Sequence, residues 1–234
     1  MKNLNLIYLS LILISCSVNK IHVKEEQESS STEVDSISNY FLFKYIDSLD
    51  AQVYDTLLDS IKNGLSNDFF TLRMAYTKTG DYSPYDPGID DSLKKATEFV
   101  GDQKYSDALK ILIRIQEHNF VQITSHLYCG YIYLQTGDTL NSNFHYNAYT
   151  GLLNSILYSG DGNDPKTAYL VISTVEEYEF LNWFNLQTNR QSLINADGYS
   201  FDLMKVTDRD TGEKYEIYFN VEPAINTLKN IFGN

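Results

Sequence analysis

Between Asp90 and about Leu157 the chain reads as one helix after another, and a pattern within that stretch recurs. Ala96, Phe99, Tyr105 and Ala108 are answered 34 positions on by Gly130, Tyr133, Thr139 and Ser142. The turn Gly101-Asp102 is answered by Gly137-Asp138. A small residue, an aromatic three later and a small residue in the next helix let antiparallel helices approach closely. Asp90 or Asp91 is expected to cap a helix over Leu93–Val100. Tyr105–His118 follows, with Ala108, Leu109, Leu112, Ile113 and Ile115 inward, then Val121–Gln135 and Leu140–Leu157.

This period resembles the tetratricopeptide repeat, with a degenerate second copy that carries Thr139 and Ser142 at the usual aromatic and alanine positions. Two repeats are fewer than a free-standing solenoid needs, so the hairpins must pack on something else. Upstream, Phe43, Ile46, Leu49, Val53, Leu57, Leu58 and Ile61 keep helical spacing, Gly64 suits a helix end, and Asp68–Tyr76 reads as a short helix. Downstream, Ser159–Pro165 is a loop. Ala168–Ser173 is rich in strand formers, and Val175–Phe184 reads as a helix anchored by Tyr178, Leu181 and Trp183. Phe201–Val206 and Tyr215–Val221 flank a turn at Asp208–Gly212, with Tyr215, Ile217, Phe219 and Val221 alternating, and Pro223–Phe232 closes as a helix. The expected fold is α+β: N-terminal tetratricopeptide-like helical hairpins packed against a small C-terminal antiparallel sheet.

The first residues set an address. Lys2 precedes an apolar run from Leu4 to Ile14, too short to span a bilayer and suited to a signal peptide. It ends in Leu13-Ile14-Ser15-Cys16, which resembles the lipobox of bacterial lipoproteins. That resemblance implies cleavage before Cys16 and acylation of its thiol, anchoring the chain to a membrane. Ser17 is not the aspartate that retains such proteins in the inner membrane of enteric bacteria, so the outer membrane is favoured over the inner. The expected organisation is a leader over 1–15, a lipid-anchored flexible tether over 16–38, a helical region over 39–158 and a small α+β region over 159–234.

Cys129 is the other of the 2 cysteines, so with Cys16 acylated no intramolecular disulfide can form and the fold must stand on its core. The net charge is −13, and losing the leader removes a lysine and no acid. Such a chain repels phosphate backbones, which argues against nucleic acid as a partner. The 19 tyrosines and 12 phenylalanines serve either a core edged with hydroxyls or an aromatic binding surface.

Signatures of catalysis are missing: no nucleophile elbow, no phosphate-binding glycine loop, no H-E-x-x-H and no C-x-x-C. His126 and Cys129 share a helix face, with His145 as a conceivable third ligand, but no fourth presents itself and core packing is favoured; no metal or cofactor is expected. Asp208-x-Asp210-x-Gly212 matches the start of a calcium loop, yet Phe219 occupies its last acidic position, so a hairpin turn is favoured. Asp161, Asn163 and Asp164 are read as a solvated loop. The candidate binding group is Arg73 with Tyr76, Tyr82 and Tyr85, in and beside the loop richest in aromatics and prolines. Its guanidinium and phenols could hold an anion or a sugar. Alternatively Arg73 pairs with Glu176 or Glu177 and ties the two parts of the chain together, which is the favoured reading because a buried arginine needs a carboxylate.

Asp68-Phe69-Phe70-x-Leu72-Arg73-x-x-Tyr76, Tyr82-x-Pro84-Tyr85, Gly160-Asp161-Gly162, Val171-Ile172-Ser173, Glu176-Glu177-Tyr178, Phe201-Asp202 and Tyr215–Asn220 together resemble an uncharacterised family of Bacteroidota lipoproteins, the domain of unknown function 4919 family. The resemblance covers most of the mature domain and implies an envelope location without an activity. The expected function is a non-enzymatic envelope lipoprotein binding another envelope protein or a peptide. The alternatives are a hydrolase or carbohydrate-acting enzyme using Asp/Glu pairs, and an acidic toxin-neutralising or architectural protein.

Overall fold

A computed structural model describes residues 39–233; the leader, the Cys16 anchor and the tether expected ahead of them lie outside that range. The helical pattern from Tyr40 to Leu65 is divided at Ser48-Leu49-Asp50 into α1 (Asn39–Asp47) and α2 (Ala51–Lys62). Asp50 begins α2 by accepting from the Val53 amide at 3.0 Å. Gly64 ends it in the left-handed region, at φ +69°, which lets its own amide reach Ile61 O and that of Leu65 reach Ser60 O. Asp68 likewise caps α3 (Phe69–Tyr76) through the Thr71 amide. Every residue of α3 except Phe70 is buried, so this helix is packed on all sides.

Next, α4 runs Pro87–Gly101, and its cap is Asp86 rather than Asp90 or Asp91. Pro87 has the backbone angle a first helical residue needs, and Asp86 accepts from the Gly88 and Ile89 amides. Then come α5 (Tyr105–His118), α6 (Ile123–Gln135) and α7 (Thr139–Leu157). Ala108, Leu112 and Ile115 of α5 are buried and Leu109 half-buried. Ile113, expected inward, is 40% exposed, because it stands a third of a turn round from Leu112. The α6–α7 pair is close-packed at its small residues: Ser142 Oγ donates to Gly130 O at 2.9 Å, and a Cβ on Gly130 would touch the Tyr146 ring at 3.0 Å.

The C-terminal part is a four-stranded sheet in the order β1-β4-β3-β2, formed by β1 (Tyr169–Leu170), β2 (Leu186–Ala196), β3 (Tyr199–Asp208) and β4 (Lys214–Asn220). The sheet is mixed rather than wholly antiparallel, since β1 pairs parallel to β4. Its direction follows from the loop that precedes it. Gly162 O accepts from Tyr218 N and Asn220 O from Val171 N, laying loop and strand along the open edge of β4. Strand β2 is not among the strands expected from the sequence. It joins β3 at Asp197-Gly198, both in the left-handed region at φ +51° and +83°, as a two-residue type I′ hairpin turn demands. Between β1 and β2 lies α8 (Thr174–Trp183), and α9 (Glu222–Phe232) ends the fold. Phe180 and Leu181 anchor α8, whereas Tyr178, expected as an anchor, is 42% exposed.

One continuous core joins the two parts. Leu72 and Met74 of α3, Leu152 and Ile156 of α7, Phe180 of α8 and Phe219 of β4 belong to it, all essentially without exposure. The described residues form a single compact unit, an α+β fold with its helices mainly in the N-terminal part and its sheet C-terminal.

Candidate functional site

Arg73 lies at the centre of this core with no exposed surface. Its Nε and Nη2 donate to the two carboxylate oxygens of Glu176 at 2.8 and 2.6 Å. Nη1 donates to Ser155 Oγ and Nη2 also to Leu170 O. Glu176 Oε2 accepts a further hydrogen bond from the Ile172 amide. A charge removed from water is tolerated only when paired and hydrogen-bonded in this way. The side chain therefore joins α3, α7, β1 and α8 at one point, and its guanidinium is engaged within the protein.

In front of this junction Tyr76, Tyr82 and Tyr85 come together in a cleft of about 210 Å³. Arg73 does not line it, although Glu176 does. Tyr82 Oη donates to Ile172 O at 2.6 Å and Tyr76 Oη to Asp81 O at 2.9 Å, and the two rings meet edge to face. Burial, the main cause, raises both phenols well above the ordinary tyrosine range, so neither serves as a base. Tyr85 stays 44% exposed at the mouth, and Pro84 and Pro87 stiffen the same wall.

The opposite wall comes from the turn between α5 and α6. Gln122 caps α6 by accepting from the Ser125 amide at 2.6 Å through Oε1, which leaves its Nε2 free. That nitrogen is buried and without a partner, and so is Oδ1 of Asn119, the residue that ends α5. Both residues line the cleft. An unmade buried hydrogen bond costs about 1–3 kcal/mol, so each of these two atoms is an uncompensated cost in the turn behind this wall. The capping residues of three helices also face the cleft: Asp86 of α4, Gln122 of α6 and Ser173 of α8.

A second polar cluster lies on α8 and the sheet. Glu177 has no exposed surface and shares a hydrogen bond with Asp202. Gln191 Nε2 donates to Asp202 Oδ2 at 2.6 Å, and Tyr178 Oη donates to Gln191 Oε1. Burial, and after it the Asp202 charge, push the Glu177 carboxyl up to about 10, so it is the protonated partner. Two carboxyls bonded to one another leave no room for a sugar between them; retaining glycosidases hold theirs about 5 Å apart. Neither lines the cleft.

The imidazoles of His126 and His145 meet through their Nδ1 atoms, whereas Cys129 is bonded by Gln116 on another side. Burial is the main cause that pushes the Cys129 thiol up to about 12, which makes it unreactive. Asp208 Oδ1 accepts from the amides of Asp210 and Thr211, and Asp164 Oδ1 from those of Lys166 and Thr167; both acids organise turns. Among the described residues no three His, Cys, Asp or Glu side chains are grouped to hold a metal ion.

Asn119 and Gln122 were not legible as site residues. The one local signal is a glutamine where a helix start favours Ser, Thr, Asp or Asn. A family model described as a domain of unknown function, DUF4919, fits residues 35–230. No curated protein and no solved structure matches the chain.

Proposed function

The chain belongs to the DUF4919 family of domains of unknown function, and from that premise we propose that it is a non-enzymatic envelope lipoprotein of Bacteroidota that binds an extended peptide segment of another envelope protein. The observation that carries this reading is the cleft walled by Tyr76, Tyr82, Pro84 and Tyr85 on one side and by the α5–α6 turn on the other. Tyr82, Tyr85, Pro84 and Ile172 supply apolar walls for the peptide's side chains. Tetratricopeptide-like helix pairs stack into concave surfaces suited to extended partners. The signal-peptide pattern and Cys16 support an envelope location by resemblance, and Ser17 favours the outer membrane over the inner.

The test is photo-cross-linking in the native membrane. The tagged full chain carries a photoreactive residue at Tyr85 or, as control, at Lys205 on β3, each with and without Cys16→Ala. An envelope protein captured from position 85 of the anchored chain, and not from position 205, is expected. Equal capture from both positions, or none from either, overturns the peptide-binding reading.

A further inference from the structure

A second concavity, of about 690 Å³, lies between the α2–α3 turn and α7 and shares no lining residue with the tyrosine cleft. We propose that it binds a short neutral oligosaccharide, independently of the peptide-binding reading. Its volume falls within the range of about 300–1,000 Å³ that small-molecule sites occupy. One wall is a stripe along α7. Asn147, Gly151 and Asn154, with Tyr158 at the helix end, recur at the spacing that keeps residues on one helix face. Gly151 shows which way that face looks, since a Cβ there would meet the Phe69 ring at the start of α3. The other wall is Ser66–Phe70.

The chemistry of the lining selects the ligand. Helix α7 has no Asp, Glu, Lys or Arg along its 19 residues, in a chain of which 21% is charged. A solvated helix face ordinarily carries charges, and asparagine is a poor helix former, so the helix itself does not account for Asn147 and Asn154. Asn67 and Asn147 are exposed and Asn154 is half-buried, and their side-chain amides make no hydrogen bond among the described residues. Each amide offers two N–H donors and a carbonyl acceptor, the complement of sugar hydroxyls, which both donate and accept. Tyr158, 82% exposed, and Phe70, half-buried, line the same groove, and neither ring pairs with another among the described residues. The negative face of an aromatic ring attracts the polarised C–H groups of a pyranose. Among the described lining residues Asp68 alone is charged, and its Oδ1 already caps α3. With no lysine or arginine among them to hold a sugar acid, and Asp68 to repel one, the groove suits a neutral ligand. From Asn147 to Tyr158 the helix advances about 16 Å, more than one sugar ring, which calls for an oligosaccharide.

The experiment probes an array of short immobilised oligosaccharides with the tagged full chain, in a detergent that has no sugar headgroup. Neutral homo-oligomers of glucose, xylose, mannose, galactose and N-acetylglucosamine stand beside uronic-acid oligomers. A subset of the neutral oligomers should bind, and the free monosaccharides should compete poorly. Tyr158→Ala and Asn154→Ala should each weaken that binding roughly tenfold, through loss of a stacking face or of hydrogen bonds. Alanine favours a helix over asparagine, so Asn154→Ala should bind less while melting at the same or a higher temperature, which a structural role for Asn154 would not produce. Leu140→Ala, on α7 but outside the groove and 80% exposed in the parent, should bind as the parent does. Failure of every neutral oligomer to bind overturns the proposal. Binding unchanged by both Tyr158→Ala and Asn154→Ala overturns this groove as the site, and a preference for the uronic acids overturns the neutral ligand.

Discussion

The Nδ1 atoms of His126 and His145 lie 3.0 Å apart and can hold one hydrogen between them. His126 Nε2 is 2.7 Å from Phe120 O, and a carbonyl only accepts. His126 therefore carries its proton on Nε2, and its Nδ1 accepts from His145. A second proton on His126 would set N–H against N–H. Burial lowers both imidazoles, to about 3 for His126 and about 4 for His145, with their mutual repulsion as the second cause at His126.

Both folded values lie below the ordinary 6.5, so the unfolded chain takes up these protons first. Stability from the pair is complete above pH 6.5 and is lost as pH falls toward 4 and 3. His145→Leu should cost about 1–3 kcal/mol at pH 7, because it strands His126 Nδ1. It should also make the decline of stability between pH 6.5 and 4.5 shallower. Urea unfolding of both proteins across that range is the check, and parallel curves would refute the assignment.

Glu177 has the opposite sign. Its folded value, about 10, lies above the ordinary 4.5, so its contribution is complete below pH 4.5 and is lost as pH rises toward 10. Glu177→Gln keeps a donor toward Asp202 and cannot ionise. Relative to the parent chain it should gain on the order of 1 kcal/mol for each pH unit above 4.5. Unfolding midpoints at pH 5 and pH 8 measure this, and the variant should pull ahead only at the higher pH.

The Arg73–Glu176 pair is fully enclosed, so breaking it from one side strands a charge. Arg73→Met should cost about 3–5 kcal/mol. Combining it with Glu176→Leu should restore part of that loss, since two apolar side chains of similar size suit the same site. A double-mutant cycle by chemical denaturation decides. Additive losses would mean that the two side chains are not coupled.

Gly151 of α7 faces the Phe69 ring, and a Cβ there would lie 2.3 Å from a ring carbon. Gly151→Ala should destabilise by about 1–3 kcal/mol despite the better helix propensity of alanine. Adding Phe69→Leu should make the alanine tolerable. Melting temperatures of the single and double variants test it.

Much of the helical layout could be read in advance because it is written locally. Tyr105–His118 has its apolar residues on one face and a turn before it, and α5 has those bounds. A charged residue inside the apolar stretch Phe69–Tyr76 pointed to a buried pair, and Glu176 supplies it. Strand β2 escaped notice because Thr188-Asn189-Arg190-Gln191-Ser192 is polar on both faces, as an edge strand can be. Asp197-Gly198 was the available signal. The direction of β1 depends on the preceding loop rather than on its own two residues. The tyrosines of the cleft stand out by composition. Asn119 and Gln122 do not, since only the assembled fold leaves their polar atoms without partners.

The Arg73 junction also bears on the order in which the chain can be completed. Its partners Ser155, Leu170 and Glu176 are made 82, 97 and 103 positions later. Until α8 has emerged, α3 holds a cation whose counter-charge is still missing, and a buried charge is tolerated only when paired. A fragment cut at residue 158, where the loop invites it, would retain the arginine and lose its counter-charge. The protein is indivisible at its most obvious seam.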